Sequence, residues 1–421
     1  MNIEDFNYFF DEKLIAKYPL KNRDESKLLA VNIKKFTIEH KKFYDIIDYI
    51  EPGDVITVNS SYVKKARIFG KRETGGKVEI FILDFPNKIA FPLNLRCLLK
   101  THKKIKKNER IIVSPSDSGK NGADDNPPAA EYFDFKENKN KRNEHNYYAH
   151  YNDDNYAHAA CADIGNNNAA NNPAPCGGND NNNQYNNFFI TASNYLGEGT
   201  WEITIHNEND YNFIFDNCAA VPLPPYIKRQ TDKNDEVYYQ TIYAKKDSGF
   251  SVAAPTAGLH FTENLINKIK NKGGIFTDIS LNIGLGTFAP VREKNIENHN
   301  MHEERYKISE KTASTINNAL KNGNKLIATG TSSVRCLESS TNDDGTVRPE
   351  SDAITSLYIY PGYKFKITKN LITNFHQPKS SLFIMLSALI GLDKMKILYE
   401  EAINNDYKFF SYGDAMFLYN V

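Results

Sequence analysis

After Pro222, the pattern of apolar positions changes repeatedly between the period of a helix and that of a strand. In the segment 263–272, Leu265, Ile266 and Ile269 share one helical face and two glycines follow, which predicts a helix that ends there. Segment 275–283 then has the pattern of a strand. Further helices are predicted at 309–321 (with Ser309 as N-cap), 380–390 and 393–404, and further strands at 325–329, 357–360 and 365–368. This alternation of strands and helices predicts α/β architecture.

The part of the chain before Pro222 has a different pattern of apolar residues. Between residues 51 and 110, short runs rich in β-branched and aromatic residues (V-I-T-V, A-R-I-F and K-V-E-I-F-I-L) are separated by glycines and Pro52. Similar runs return at 188–192, 201–206 and 212–215. The pattern predicts a small antiparallel barrel or sandwich.

The two groups of strands are separated by a low-complexity stretch at about 114–187, which is rich in Asn, Ala and Asp. Such a composition buries little apolar surface, so we expect a disordered or poorly ordered hairpin loop. The stretch contains potential zinc ligands, but their spacing matches no compact zinc site, and no metal is expected. These side chains are His145, His150, His158, Cys161 and Cys176.

The length of 421 residues suggests two domains, one of them with an insertion. The formal net charge is zero, yet residues 64–110 carry fourteen Lys and Arg against four acidic residues. Such a concentration favours contact with nucleic-acid phosphates, although a solvated lysine-rich surface is the plain alternative.

Cysteine usage and hydropathy favour a soluble cytoplasmic protein. The five cysteines are scattered and odd in number, without a disulfide or zinc pattern. The N-terminus lacks the basic start and apolar run of a secretion signal, and the longest apolar run, 382–392, is too short to span a bilayer. That run is expected to be a buried helix.

Several short motifs mix small residues with polar or titratable side chains, as expected of an active site assembled from loops. In V-A-A-P-T-A-G-L-H-F (252–261), Gly258 would leave room for a ligand, Thr256 offers a hydroxyl and His260 a proton-transfer group. In G-T-S-S-V-R-C-L-E (330–338), Gly330, Thr331 and Ser332 follow a predicted strand and begin a helix, which suits an anionic group.

Four further motifs complete the set. G-L-G-T-F contributes Gly284, Gly286 and Thr287; H-N-M-H-E-E contributes His302 and Glu303; T-N-F-H contributes Asn374 and His376; F-F-S-Y-G-D-A contributes Ser411, Tyr412 and Asp414. His302 and Glu303 could form a general-base pair, and a solvated charged loop is the alternative. Arg335 is expected either to bind substrate or to form an ion pair with Glu338, three positions along the same helical face.

In order and spacing, these motifs resemble the S-adenosylmethionine:tRNA ribosyltransferase-isomerase family of queuosine biosynthesis. The resemblance also rests on P-L-P-P-Y-I-K-R (222–229), Y-Y-Q-T-I-Y-A (238–244), the opening L-I-A-K-Y-P-L-K-N-R-D-E-S-K-L-L (14–29) and the strands between 53 and 80. It covers about 1–110 and 215–421. It implies a discontinuous α/β catalytic domain (1–60 and 216–421) with an inserted β-barrel domain (61–215).

The resemblance further implies that S-adenosylmethionine is a ribosyl-donor substrate, with no retained cofactor, and that the partner is the anticodon loop of tRNA. The acceptor would be an aminomethyl-deazaguanine, the products epoxyqueuosine, adenine and methionine, and the enzyme a monomer. It suggests His260 or the His302/Glu303 pair as base, and His376 or Asp414 as the group that assists adenine departure. It adds Arg23, Asn59, Arg67 and Lys77 to the expected substrate-binding residues. A non-catalytic RNA-binding protein and a methyltransferase are the alternatives.

The chain departs from the family pattern at several positions. Asn282 stands where the family has a histidine, in S-L-N-I-G in place of T-L-H-V-G. Lys27 replaces an arginine, and the stretch around Ser61 and Lys65 lacks the usual Thr and Pro. The sequence therefore leaves open whether these departures reduce the activity.

Overall fold

The computed structural model describes residues 1–86, 88–115, 188–197, 199–284 and 290–421. The strands are β1 Lys27–Asn32, β2 Thr37–Lys42, β3 Val55–Asn59, β4 Tyr62–Val63, β5 Arg67–Arg72, β6 Lys77–Ile82, β7 Leu93–Thr101, β8 Glu109–Val113, β9 Phe189–Gly197, β10 Thr200–Ile205, β11 Ala219–Ala220, β12 Phe250–Ser251, β13 Ile275–Leu281, β14 Glu304–Ile308, β15 Leu326–Thr329, β16 Glu350–Thr355, β17 Leu371–Asn374 and β18 Ala415–Tyr419. The α-helices are α1 Glu208–Phe213, α2 Lys233–Tyr238, α3 Glu263–Asn271, α4 Glu310–Lys321, α5 Thr331–Ser340, α6 Ser381–Ile390 and α7 Leu392–Asn404.

A mixed sheet of nine strands, in the order β16-β14-β13-β3-β15-β17-β18-β1-β2, forms the α/β part. Strands β13, β3, β15 and β17 are parallel neighbours at its centre. Successive residues of β3 point to opposite faces: Val55 packs in the core cluster that includes α4 to α7, whereas Ile56 packs in the cluster that includes α3. Burial on both faces explains the unbroken apolar run V-I-T-V.

The second sheet is an antiparallel barrel. Its strands follow the order β5-β6-β7-β10-β9-β8, and pairing of β5 with β8 closes the ring. Ile68, Ile80, Leu95, Ile111 and Ile203 belong to its core. The predicted fold class, an α/β domain together with an antiparallel β-barrel, is therefore confirmed. The barrel strands come from 67–113 and 189–205, with β11 joining at β5, and the exact domain boundaries stay a prediction.

The predicted helices are found within one or two residues of their expected bounds. Ser309 caps α4 by accepting a hydrogen bond from the Thr312 amide (3.1 Å), and Ser380 caps α6 through the Phe383 amide (3.2 Å). The apolar run 382–392 lies mainly in buried α6, and no helix among the described residues is long and apolar enough to cross a membrane.

Three predicted strands are wrong. Segment 212–215 lies in α1 and the π-helical turn that follows it, because the Asn207 side chain caps this helix at the Asp210 amide (2.9 Å). Segments 357–360 and 365–368 are loops. In the second loop the backbone amides of Lys366 (2.8 Å) and Thr368 (2.9 Å) donate to the Glu338 carboxylate, which replaces a neighbouring strand as their partner.

Candidate active site

A cavity lies at the carboxyl edge of the central parallel strands. Residues that follow β13 (Ile283), β15 (Gly330) and β17 (Phe375) line it, and its empty space, including open solvent at the mouth, is about 630 Å³. In open α/β sheets, ligands bind in the crevice beyond the carboxyl ends of the strands. The topology therefore puts this cavity, here called the larger cavity, where a small-molecule substrate is expected.

Four of the sequence motifs meet in the lining of the larger cavity. They contribute Ala254–Ala257, Gly330–Ser332, Thr373–His376 and Phe410–Ser411. Tyr226, from the P-L-P-P-Y motif, also lines it, and its hydroxyl hydrogen-bonds the Ser411 hydroxyl (2.6 Å). Distant segments of the chain are thus brought to one place, as expected of an active site assembled from loops.

The N-terminus of α5 faces this cavity. Gly330 has φ +84°, a conformation that favours glycine, and its amide donates to the carbonyl of Ile372 (2.8 Å). The turn delivers Thr331 and Ser332 to the lining at the positive end of a ten-residue helix. Free backbone amides and the helix dipole favour an anion at such a position.

A hydrogen-bonded chain of four side chains runs inward from the larger cavity. Thr256 donates to Oδ1 of Asn374 (2.8 Å), the Asn374 amide nitrogen lies 3.0 Å from Nε2 of His260, and Nδ1 of His260 lies 2.8 Å from the Ser26 hydroxyl. The Asn374 nitrogen also donates to the backbone carbonyl of Asp414 (3.4 Å), which can only accept, so the amide orientation is fixed. Nε2 of His260 therefore accepts, and the proton of the neutral ring sits on Nδ1.

The His260 ring is a neutral imidazole at neutral pH. Burial, assisted by the positive charge of Arg23, lowers its pKa to about 3. The ring also packs against Phe43, with centroids 5.0 Å apart. Since both ring nitrogens are occupied, the unliganded structure favours a positioning function for His260 over direct proton abstraction.

His376 lines the larger cavity itself. Its Nε2 lies 2.8 Å from the Thr373 hydroxyl, while its backbone is held by the hydroxyls of Tyr399 (2.8 Å, to the amide) and Tyr8 (to the carbonyl). Burial lowers the pKa of His376 to about 3. Of the predicted catalytic side chains, His376 is the one that contributes to this lining.

Asp414 connects the start of β1 to the loop between α7 and β18. Its carboxylate accepts hydrogen bonds from the backbone amides of Lys27 (2.7 Å) and Lys408 (2.7 Å). Burial raises the pKa of the carboxyl, although these hydrogen bonds act in the opposite direction. The preceding Gly413 is required because a Cβ there would lie 2.4 Å from the Lys408 carbonyl oxygen. The arrangement favours a structural function for Asp414.

The predicted His302/Glu303 pair does not line the larger cavity. His302 is exposed, and the inward carboxylate is that of the next residue, Glu304, at the start of β14. Glu304 accepts a hydrogen bond from the Gly284 amide (3.1 Å) and forms a buried ion pair with Arg335. The alternation of buried positions along β14 is the sequence signal that identifies Glu304.

Arg335 therefore pairs with Glu304, and the alternative of an Arg335–Glu338 pair is wrong. Nε of Arg335 donates to the Leu357 carbonyl (3.0 Å), and one of its terminal nitrogens is buried without a hydrogen-bond partner among the described residues. Glu338 instead holds the 363–368 loop. A long-range pair replaces the local one because α5 presents Arg335 towards β14.

A smaller cavity of about 310 Å³ lies on the other side of the hydrogen-bonded chain. Arg23, Ser26, His260, Ser411 and Tyr412 are among the residues that line it. Arg23 donates to the carbonyls of Gln240 (2.7 Å) and Val237 (2.8 Å), and the Tyr412 hydroxyl donates to Asp235 (2.8 Å). Ser411 borders both cavities.

The structure gives Gly258 a packing function. A Cβ at this position would lie 1.9 Å from the Tyr243 hydroxyl oxygen, so Tyr243 occupies the space that the sequence interpretation reserved for a ligand. Asn59 is likewise buried in a structural network, since its side chain binds both backbone groups of Leu281 (2.9 and 3.1 Å) and the Ser332 hydroxyl (3.3 Å).

The remaining predicted residues lie elsewhere. Arg67 pairs with Glu79 (2.9 Å) and Lys77 is exposed, both on the barrel. Gly286 and Thr287 lie outside the described residues, as do the insert from residue 116 to 187 and the five potential zinc ligands in it. Cys97, Cys218 and Cys336 are buried free thiols.

Comparison with known proteins identifies the family of this chain. A family model described as "Queuosine biosynthesis protein" matches residues 3–160 and 178–418. The chain belongs to the queuosine biosynthesis protein family. The predicted family and the expectation of an enzyme of the transferase class are thereby confirmed.

Relatives within the family match this chain from end to end. The chain is 37% identical to the S-adenosylmethionine:tRNA ribosyltransferase-isomerase of Fusobacterium nucleatum subsp. nucleatum, covering 99% of this chain and 97% of the relative. It is 36% identical to the protein of the same name from Natranaerobius thermophilus, covering 100% of both chains. A solved S-adenosylmethionine tRNA ribosyltransferase from Thermotoga maritima is 24% identical, with a TM-score of 0.45 over 98% of this chain and 99% of that one.

Proposed function

We propose that this member of the queuosine biosynthesis family transfers and isomerises the ribosyl group of S-adenosylmethionine. The acceptor is 7-aminomethyl-7-deazaguanine in the anticodon loop of tRNA, and the products are epoxyqueuosine, adenine and methionine. The observation that carries this proposal is the end-to-end similarity to relatives named as ribosyltransferase-isomerases. The meeting of four motifs in one cavity at the carboxyl edge of the sheet supports it.

We propose that the larger cavity binds S-adenosylmethionine, because it combines hydroxyl and backbone donors with apolar side chains at the carboxyl edge of the sheet. We assign the substrate carboxylate to the α5 N-terminus, where Thr331 and Ser332 add hydroxyl donors to the backbone amides. Phe375 and Phe410 provide apolar surface for the adenine.

The reaction requires three proton transfers. A base removes a proton from the carbon beside the sulfonium, an acid protonates adenine as its glycosidic bond breaks, and the acceptor amine releases a proton as it forms the new C–N bond. The C–S bond breaks with its electron pair on sulfur, so the sulfonium leaves as the neutral thioether of methionine. In the isomerisation, the deprotonated carbon forms the C–C bond that closes the carbocycle, and the ring oxygen exchanges one of its C–O bonds for the second C–O bond of the epoxide.

Among the predicted catalytic residues, His376 is the best placed for a proton transfer, because it lines the larger cavity and Thr373 orients its ring. We propose that His260 and Asp414 position the site: His260 through Asn374, and Asp414 through the backbone at Lys27 and Lys408. For His302 and Glu303 to act as the base instead, they would have to approach the larger cavity when tRNA is bound.

We propose that the barrel contacts the tRNA backbone through the loop between β7 and β8. Arg67, Arg72 and Arg96 are paired with Glu79, Glu109 and Asp84, so their charges are largely neutralised. In contrast, Lys103, Lys104, Lys106 and Lys107 are exposed in this loop. Four adjacent cations suit a phosphate backbone. A cytoplasmic location and a monomeric state stay part of this proposal.

The proposal is tested by incubating the purified protein with S-adenosylmethionine and tRNA that carries the aminomethyl-deazaguanine, followed by chromatography of the small products. Adenine and methionine in equal amounts, with an epoxyqueuosine nucleoside in the digested tRNA, are the expected products. S-adenosylhomocysteine would instead identify a methyltransferase, and tRNA binding without turnover would identify a non-catalytic RNA-binding protein.

A further inference from the structure

We propose that the smaller cavity is the pocket for the acceptor nucleobase, which leaves the base stack of the anticodon loop and enters beside Leu20. This inference rests on the proposed function, in which S-adenosylmethionine occupies the larger cavity. Enzymes that act on a base within a stacked nucleic acid hold it in a separate, close-fitting pocket lined by aromatic and apolar side chains.

The position of the smaller cavity allows the two substrates to meet. Ser411 borders both cavities, and the 3.0 Å hydrogen bond between Asn374 and His260 joins a residue of the larger lining to one of the smaller. An aminomethyl group on a base in the smaller cavity would thus point across this shared wall towards the ribosyl carbon. No substrate has to pass through the protein core.

The walls of the smaller cavity suit a flat heterocycle. Its empty space, including open solvent at the mouth, is half that of the larger cavity (about 310 against 630 Å³). Leu20 and Tyr238 supply apolar walls, and the Arg23 guanidinium lies over the Tyr238 ring at 5.3 Å from its centroid. Ser26 and His260 supply polar groups at the inner end.

Leu20 in the lining of this cavity, and two side chains adjacent in the chain to lining residues, are exposed and apolar, which a purely structural depression does not require. The exposed fractions are 47% for Leu20, 61% for the neighbouring Tyr18 and 66% for Val237, which precedes Tyr238. Lys17 and Lys21, which flank Tyr18 and Leu20, are exposed as well. Apolar side chains between two cations suit a base with its flanking phosphates.

The charge inside the cavity suits an amine acceptor. A primary amine attacks only in its neutral form, and the usual pKa of an alkyl ammonium is about 10. Arg23 donates to two backbone carbonyls, so its positive charge is not neutralised by a carboxylate in these contacts. A nearby cation disfavours the ammonium form of the substrate and favours the nucleophilic amine.

The test compares Tyr18→Ala and Leu20→Ala with Ile397→Ala, a control at a similarly exposed aliphatic residue (48%) on α7. We measure the Kd for S-adenosylmethionine by calorimetry, and the Kd for anticodon stem-loops with and without the aminomethyl-deazaguanine. We expect Tyr18→Ala to weaken binding of the modified stem-loop by about 5- to 150-fold, the effect of removing one aromatic stacking contact, and Leu20→Ala to weaken it in the same direction by loss of apolar contact. The Kd for S-adenosylmethionine should stay within about twofold, and Ile397→Ala should change neither.

An increased Kd for S-adenosylmethionine with an unchanged Kd for the stem-loop would overturn the assignment, because the donor would then occupy the smaller cavity. Unchanged values for both ligands would overturn it too. These binding measurements do not depend on turnover. If the wild-type protein binds the modified stem-loop through Leu20 but releases no adenine, the proposed function is contradicted, whereas the assignment of the base pocket is not.

Discussion

The side-chain amide of Asn374, at the end of β17, donates a 3.0 Å hydrogen bond to Nε2 of His260. The bond links the T-N-F-H motif to the V-A-A-P-T-A-G-L-H-F motif and separates the two cavities. It also fixes the tautomer of a histidine that burial and Arg23 keep uncharged. Asn374 is therefore the residue through which the two halves of the site are aligned.

Replacement of Asn374 by Ala should reduce both stability and turnover. Removal of a buried hydrogen-bonding group that leaves its partners unsatisfied costs about 1–3 kcal/mol, and here His260 and Thr256 are left without their partner. Urea unfolding measures this cost, and kcat against KM for S-adenosylmethionine separates positioning from binding. Asn318→Ala, at an exposed site on α4, is the control. An Asn374→Ala protein with wild-type stability and kcat would contradict this account.

Removal of one partner of the buried Arg335–Glu304 pair should strongly decrease the stability of the protein. Arg335→Met leaves an unpaired buried carboxylate, and we expect a decrease of about 3–5 kcal/mol in the free energy of unfolding. The double variant Arg335→Met/Glu304→Leu should recover part of this stability. Arg305→Ala breaks an exposed pair with Asp352 and should cost about 0–1 kcal/mol. Equal effects of Arg335→Met and Arg305→Ala in urea unfolding would show that the buried pair contributes little.

Gly258→Ala tests whether this glycine serves packing or ligand binding. Its new methyl group would overlap with the Tyr243 hydroxyl, so we expect a destabilisation of about 1–3 kcal/mol. Tyr243→Phe removes that hydroxyl, and the double variant should therefore be more stable than Gly258→Ala alone. Thermal and urea unfolding of the four proteins give the coupling energy. A stable Gly258→Ala protein with an increased KM for S-adenosylmethionine would favour ligand binding instead.

The free energy of unfolding should depend on pH because the protein contains buried histidines. The pKa of His260 is about 3 in the folded protein and about 6.5 in an unfolded chain, so between these values the unfolded state binds more protons. Stability should consequently fall as the pH decreases from about 6.5 towards 3. His260→Gln should remove about half of this dependence, because burial lowers the pKa of His376 to about 3 as well, and Asn318→Ala, at an exposed site, should leave it unchanged. Parallel curves for wild type and His260→Gln between pH 5 and 7 would contradict the assigned pKa.

The loop between β7 and β8 should determine the salt dependence of tRNA binding. Replacement of Lys103, Lys104, Lys106 and Lys107 by Gln should weaken binding at low salt. It should also reduce the slope of log K against log salt by about 0.7–0.9 for each phosphate that a lysine no longer neutralises. Fluorescence anisotropy at several salt concentrations measures the slope. An unchanged slope would assign the tRNA backbone to another surface.

The sequence predicted the regular elements well because their signals are local. Helix α4 combines a Ser309 cap, an apolar stripe and a glycine beyond its end, and the structure has the helix at that place. Strands β3, β5, β6, β13 and β15 likewise follow from local apolar runs, whereas the same signal was wrong for segments 357–360 and 365–368, which are loops. The prediction for segment 212–215 was wrong because the Asn207 cap forms a helix in a β-favouring composition.

The details of the site depended on long-range register, which local patterns do not contain. The alternation along β14 identifies Glu304 as the buried glutamate, but its pairing with Arg335 of α5 follows from no local pattern. Likewise, Gly258 faces Tyr243 and not a ligand because the segment that contains Tyr243, fifteen residues earlier in the chain, packs against it. The chemistry of the motifs therefore predicted which residues belong to the site, whereas the function of each residue could be inferred only from its tertiary contacts.

The central claim is that the ribosyl group, not the methyl group, is transferred. The most direct measurement uses S-adenosylmethionine with ³H in the ribose and ¹⁴C in the methyl group, incubated with the protein and tRNA bearing the aminomethyl-deazaguanine. We predict that ³H enters the tRNA while ¹⁴C leaves as methionine. Incorporation of ¹⁴C into the tRNA without ³H would contradict the account and identify a methyltransferase.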